Sequence, residues 1–246
     1  MTAVPDDEAC VTQCILEARA RLEKALQTSK RNADSAQVLA VSKTKPATLV
    51  RAAWQSGQRA FGENYLQEAL DKQQALSDLT DIEWHFIGPI QSNKTRAIAE
   101  HFAWVHTVER EKIARRLSEQ RPDELGALDV CLQVNISGEA SKAGVTPQEL
   151  LALAETVIAL PGLRLRGLMA IPAPCAADAS DAERHAPFCQ LRELLEQLQA
   201  RFPAASYPQA RLDTLSMGMS ADLEAAVAEG ATLVRLGTAI FGARDY

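Results

Sequence analysis

The chain reads as an α/β protein, a single (β/α)8 TIM-type barrel with an extra N-terminal helix. Three observations predict this fold. Eight short apolar runs recur along the 246 residues, stretches of helical periodicity separate them, and no linker or composition shift cuts the chain. Eight strands close such a barrel, and this length is routine for one. An open doubly wound sheet is the rival arrangement; the Gly-x-Gly-x-x-Gly signature that would favour it does not follow the first run.

The elements follow in order. A helix over about Glu8–Asn32 comes first. The strand-like runs are Val38–Ser42, Arg59–Gly62, Glu83–Ile87, Trp104–Thr107, Asp129–Asn135, Leu163–Met169, Asp213–Ser216 and Leu233–Leu236. Helical stretches at Ala47–Ser56, Tyr65–Leu76, Lys94–Ala99, Arg110–Glu119, Pro147–Leu160, Glu183–Arg201 and Leu223–Glu229 lie between and beside them. Pro172–Ala182 reads as a loop inserted within one domain spanning 1–246, with the barrel over about 38–242.

Composition excludes several classes of function. The net charge is −6 with acidic and basic residues interleaved, and no Lys/Arg block appears, so nucleic acid is a poor partner. Met1–Cys14 is mildly acidic and lacks the pattern of a secretory signal. The longest apolar stretch, Leu150–Leu160, is interrupted by Glu155 and is too short to span a bilayer. A soluble, cytoplasmic protein is expected. Cys131 reads as core, and Cys10 and Cys14 could face each other on one helix side. No His stands near them at ligand spacing, so free thiols are expected and no metal site.

In such a barrel the chemistry sits where the strands end, because the βα loops form one open face. The residues there are Lys43, Glu63, Asn64, Gly88, Thr107, Asn135, Met169, Ser216, Gly218, Arg235 and Gly237. A lysine held against an apolar wall near other cations has a lowered pKa and an amine nucleophilic toward aldehydes. Lys43 and Lys45 share strand parity, and the physics alone does not choose between them. In Ser216–Ser220, Gly218 allows close backbone approach and Ser220 is a natural N-cap for the next helix. Gly237 and Thr238 open a short helix whose N–H groups would suit a phosphate, as the loops after strands seven and eight often do. Arg235 can point inward, toward a ligand or toward a carboxylate such as Glu63. His85 reads as a satisfied core residue, as do Trp84 and Trp104, and His101, His106 and His185 show no nucleophile or metal spacing.

Several segments together resemble one family. They are Ala40–Pro46 (Ala-Val-Ser-Lys-Thr-Lys-Pro), Phe61–Tyr65, Trp84–Gly88, Gln91–Lys94, Arg166–Met169, Leu215–Ser220 and Val234–Gly242. In that order, from about Val38 to the C-terminus, they are similar to the pyridoxal phosphate homeostasis proteins, also called proline synthetase co-transcribed homologues. The resemblance implies a fold like the N-terminal barrel of alanine racemase, preceded by a helix. It implies pyridoxal 5′-phosphate (PLP) as cofactor, held as a Schiff base on Lys43. It implies phosphate contacts from Ser216, Gly218, Met219, Ser220, Gly237 and Thr238, with Arg235 near the pyridine nitrogen and Asn64, Asn135 and Met169 lining the cofactor face. Lys142, in Ser141–Gly144, matches a family lysine on a mobile loop and is not read as catalytic.

The implied function is to carry or buffer PLP and to balance vitamin B6, amino-acid and keto-acid pools without turnover. PLP-requiring apo-enzymes would be the partners, and a monomer the expected state. An arginine opposite the pyridine nitrogen stays protonated and weakens the electron sink that PLP enzymes use. Racemases of this fold carry a second domain and take an opposing acid/base from a partner subunit; the end of this chain at Tyr246 predicts that such a domain is lacking. Two readings stay open beside this one: a minimal PLP-dependent amino-acid racemase with Lys43 as base, and a phosphosugar enzyme with an imine on Lys43.

Overall fold

The computed structural model describes residues 5–139 and 142–243, with Ser141 of the Lys142 segment outside them. Eight parallel strands close into a barrel in sequence order. They are β1 (Gln37–Val41), β2 (Ala60–Glu63), β3 (Glu83–Phe86), β4 (Trp104–Val108), β5 (Leu128–Gln133), β6 (Leu163–Met169), β7 (Ala210–Ser216) and β8 (Leu233–Leu236). The helices are α1 (Pro5–Thr28), α2 (Ala47–Gln55), α3 (Leu66–Ala75), α4 (Thr95–His101), α5 (Glu111–Gln120), α6 (Leu150–Ala159), α7 (Asp181–Arg201), α8 (Leu223–Ala228) and α9 (Thr238–Phe241). In α1, Val11, Ile15, Ala18, Leu22, Ala25 and Leu26 are buried at helical spacing, so one stripe faces the barrel wall.

Strand alternation separates two interiors. Val38, Ala40, Phe86, Val105 and Val234 join the main apolar core between sheet and helices. Their neighbours of opposite parity face the lumen, where Leu39, Val41, Ala60 and Ile87 form one small cluster and Trp104, Cys131 and Met169 another. The same parity carries His85, His106 and Arg235 into the lumen, and all are buried.

Boundaries differ from expectation where local chemistry decides them. The helix expected to run to Asn32 stops at Thr28, and Lys30 adopts a positive φ of 54°. Helix α7 starts at Asp181 rather than Glu183, because Ser180 and Glu183 satisfy each other's backbone N–H in a capping box. Strand β7 begins at Ala210, ahead of the expected Asp213.

The pairing of β6 shifts register between Leu165 and Gly167 on its β7 side, and the β5 side shifts between Val130 and Cys131. Gly167 makes this possible: a Cβ there would lie 1.8 Å from the Thr214 carbonyl oxygen. Gly167→Ala is expected to destabilise the barrel by at least about 2 kcal/mol in urea unfolding, through forced strand displacement. A loss under about 0.5 kcal/mol would mean the wall accommodates the methyl group.

Candidate functional site

The C-terminal strand ends enclose a cleft of about 320 Å³. Of the residues singled out from the sequence, Lys43, Asn64, Met169, Met219, Ser220, Arg235, Gly237 and Thr238 line it. Lys45, weighed beside Lys43 on parity, also lines it, as do Ile87, Ile171, Ala221 and Phe241, which strand-end reasoning passed over as site residues. Ile87 ends the third apolar run at the same lumen parity as His85, a signal that would have found it. The Lys45 Nζ donates to the Ala243 carbonyl at 2.5 Å, which ties it to the C-terminal segment.

Three expected residues lie elsewhere. Asn135 stands outside the cleft lining, and its Nδ2 donates to the carbonyls of Glu139 and Lys142, clamping that loop. Gly218 has φ +89°, and a Cβ there would approach the Ala226 Cβ to 2.6 Å, so its role is to let α8 close on the loop. Ser216 is fully buried behind Arg235. Ser220 does not cap α8. The N-cap position is Asp222, whose Oδ1 instead accepts from the Met219 N–H at 2.6 Å, while Arg21 donates to the Ser220 carbonyl at 2.9 Å.

The turn that carries Lys43 is braced from below. Thr44 holds a φ of 63°, a left-handed conformation that costs a β-branched residue strain. Its N–H donates to Glu68 Oε1 at 2.5 Å. Lys72, on α3 and only 5% exposed, donates to the Ser42 carbonyl at 2.6 Å and to Glu63 Oε1 at 2.8 Å. Glu63 also accepts from the Ser42 hydroxyl at 2.6 Å. Burial pushes the Glu63 carboxyl above its ordinary value and outweighs the opposing pull of Lys72. Glu63 therefore does not pair with Arg235, the alternative the sequence left open.

Arg235 lies at the base of the cleft, and among the described residues no carboxylate is hydrogen-bonded to it. Nη1 donates to the Ser216 carbonyl at 2.6 Å and hydroxyl at 2.9 Å, and Nη2 to the Ala170 carbonyl at 2.9 Å. Burial lowers its pKa to about 10, which leaves it charged at neutral pH. His85 is a satisfied core residue, as the sequence suggested: it is fully buried, its ring bonds to Glu83 and to His106, and His106 bonds to Ser216.

Lys72→Met would leave Glu63 buried and uncompensated. A loss of about 3–5 kcal/mol in denaturant unfolding at neutral pH is expected. With Glu63 raised further above its unfolded pKa, the native state binds the extra proton. The loss should shrink as pH falls below that raised pKa and grow as pH rises through it. A pH-independent loss would point to packing alone.

Comparison with known proteins fits this geometry. The alanine racemase N-terminal domain family matches residues 18–245. The pyridoxal phosphate homeostasis protein of Pseudomonas aeruginosa is 61% identical over 236 residues, covering 96% of each chain. That of Vibrio cholerae is 54% identical over 239 residues, covering 96% of this chain and 97% of the relative. The structure of PipY from Synechococcus elongatus with PLP bound is 41% identical, with a TM-score of 0.75 over 90% of this chain and 100% of that one. Alanine racemase from Corynebacterium glutamicum, 16% identical with a TM-score of 0.66 over 97% of this chain and 62% of that one, shares the fold alone. The chain belongs to the pyridoxal phosphate homeostasis protein family, on the alanine racemase N-terminal barrel.

Proposed function

We propose that this protein, as one barrel domain over 1–246, binds PLP in the cleft and carries or buffers it without catalytic turnover, so maintaining vitamin B6 and amino-acid/keto-acid balance. One observation carries the reading: a single cleft joins Lys43 to Arg235, Gly237 and Thr238. The PLP held by PipY, whose chain is 41% identical, supports it. The cleft fits the group on its own chemistry. Lys43 offers an amine for the aldehyde, with Arg235 a permanent donor at the ring end. The Thr238 and Ala239 N–H groups that open α9 suit a phosphate, while those of Ile240 and Phe241 donate to the Gly237 carbonyl. Asn64 Oδ1 is buried in the cleft without a hydrogen-bond partner among the described residues, an acceptor that a bound ligand can reach. Because the Met219 N–H is engaged by Asp222, the weight of phosphate binding shifts toward Gly237 and Thr238.

Bound PLP supplies an aldehyde that an amine can capture and pass on. The ionisable groups lining the cleft, among the described residues, are Lys43, Lys45 and Arg235, all cationic. Among the described residues no carboxyl, imidazole or phenol lines the cleft to serve as a second acid/base, and Lys45 is bonded to the Ala243 carbonyl. Arg235 as a donor keeps the ring nitrogen unprotonated, which disfavours carbanion chemistry. This reading places a monomeric carrier in the cytoplasm, with PLP-requiring apo-enzymes as recipients. Among the described residues no helix is long and apolar enough to cross a membrane.

Borohydride reduction of the PLP-loaded protein and peptide mass mapping should mark Lys43. A pyridoxyl mass on Lys45 or Lys142 instead would overturn the assignment. Incubation with single-enantiomer alanine or serine, followed by chiral chromatography, should show no sustained racemisation above free PLP. Turnover well above that background, abolished by Lys43→Ala, would identify the minimal racemase instead.

A further inference from the structure

Five side chains form one unbroken hydrogen-bonded chain through the barrel. Glu83 Oε1 lies 2.8 Å from His85 Nε2, His85 Nδ1 2.9 Å from His106 Nε2, His106 Nδ1 2.8 Å from Ser216 Oγ, and Ser216 Oγ 2.9 Å from Arg235 Nη1. Glu83 opens β3 at the barrel floor, the end opposite the cleft, with its side chain 44% exposed. His85, His106 and Ser216 are fully buried.

The two ends fix the direction of every bond between them. Arginine only donates, and a carboxylate only accepts. Arg235 occupies a lone pair of Ser216, so the hydroxyl proton is free to go to His106 Nδ1. The single proton of a neutral His106 then sits on Nε2 and is donated to His85 Nδ1. The His85 proton sits on its own Nε2 and is donated to Glu83. Every donor has an acceptor in this arrangement. The reverse direction would set an unprotonated His85 Nε2 against the Glu83 carboxylate.

The surroundings keep both rings neutral. Burial lowers His85 despite Glu83 and Asp129, with Arg166 adding to the lowering, and burial with His85 and Arg235 holds His106 well below the usual imidazole range. Trp104 stacks on His85 with centroids 5.3 Å apart, and Arg166 lies 4.4 Å over the same indole. A proton added to either ring would face a guanidinium.

We propose that Glu83, His85 and His106 are positioning residues for the cleft. The floor carboxylate fixes the tautomers, the tautomers orient the Ser216 hydroxyl, and the hydroxyl holds the Arg235 guanidinium in place beneath the ligand. This rests on the reading that PLP occupies the cleft. A substitution at the floor should therefore be felt at the mouth.

The test uses the full chain. Nitrogen NMR of histidine-labelled protein without ligand should show both rings as Nε2–H tautomers at neutral pH; an Nδ1–H tautomer at either ring overturns the proposal. Titration of PLP absorbance should give Glu83→Leu an affinity about tenfold weaker with a shifted band, the scale of one oriented hydrogen bond to a charged group. Glu83→Gln keeps an acceptor oxygen and should stay within about threefold of the parent. Parental affinity and band in a folded Glu83→Leu, whatever its unfolding midpoint, count against the idea. If Glu83→Leu does not fold, the same comparison is made at His106. Gln places an amide oxygen and nitrogen where the ring nitrogens were and should retain binding, whereas Phe should lose about tenfold. Equal affinities in those two variants overturn the proposal. Failure of the parent protein to bind PLP would refute the proposed function, and the tautomers would still be read on the unliganded chain.

Discussion

Arg235 brings a guanidinium that is 5% exposed into a barrel with no carboxylate among the described residues bonded to it. Desolvating such a charge costs several kcal/mol, and here dipoles offset the cost: the carbonyls of Ala170 and Ser216, and the Ser216 hydroxyl. Those carbonyls come from the ends of two adjacent strands, so the guanidinium is held only if the strands end level. They do, with Met169 opposite Ser216 and the Ala170 N–H donating to the Ser216 carbonyl. The register shift at Gly167 sets that alignment from within the wall. A backbone irregularity in β6 thus becomes a placed charge in the cleft.

The opposite corner handles charge by pairing. Lys72 reaches up from α3 to neutralise Glu63 and at the same time holds the Ser42 carbonyl beneath the Lys43 turn. The ionisable side chains lining the cleft are those of lysine and arginine, which favour an anionic ligand, with Asp222 beside them on the Met219 N–H. The two buried charge systems remain separate, and Arg235 keeps its charge for whatever enters from above.

The fold was legible because parallel strands buried on both faces appear as short apolar runs and need helices between them. All eight runs became strands, and errors fell at ends set by caps and turns, such as Ser180 before α7. The cleft was legible where a polar residue ends an apolar run, as at Lys43, Asn64 and Arg235. Asn135 and Ser216 obey the same rule yet face a loop and the lumen, because the rule does not say what stands opposite. Lys72 was invisible: its spacing on α3 is that of an ordinary exposed helical lysine, and only the docking of α3 onto β2 buries it. His106 lies 21 residues beyond His85, and their contact depends on the pairing of His85 with Trp104, which places His106 one lumen position higher. Register between parallel strands is fixed by the whole wall, so no local motif announced the pair.

Barrels of this kind are ordinarily filled by layers of branched aliphatic side chains. This lumen holds two histidines, a serine and an arginine, with Asp129, Arg164, Arg166 and Asp213 linked by ion pairs at the floor. A polar interior is tolerable only when every member finds its partner, since a half-satisfied network is worse than an apolar one. The buried side-chain atoms left without a hydrogen bond, among the described residues, are Glu63 Oε2, Asn64 Oδ1, Asn135 Oδ1 and Lys142 Nζ. None belongs to the floor or to the histidine chain. Each lies at or beyond the C-terminal end of a strand, and Asn64 opens directly into the cleft. The molecule has closed its hydrogen bonding through the lumen and left the deficit at the face where a ligand arrives.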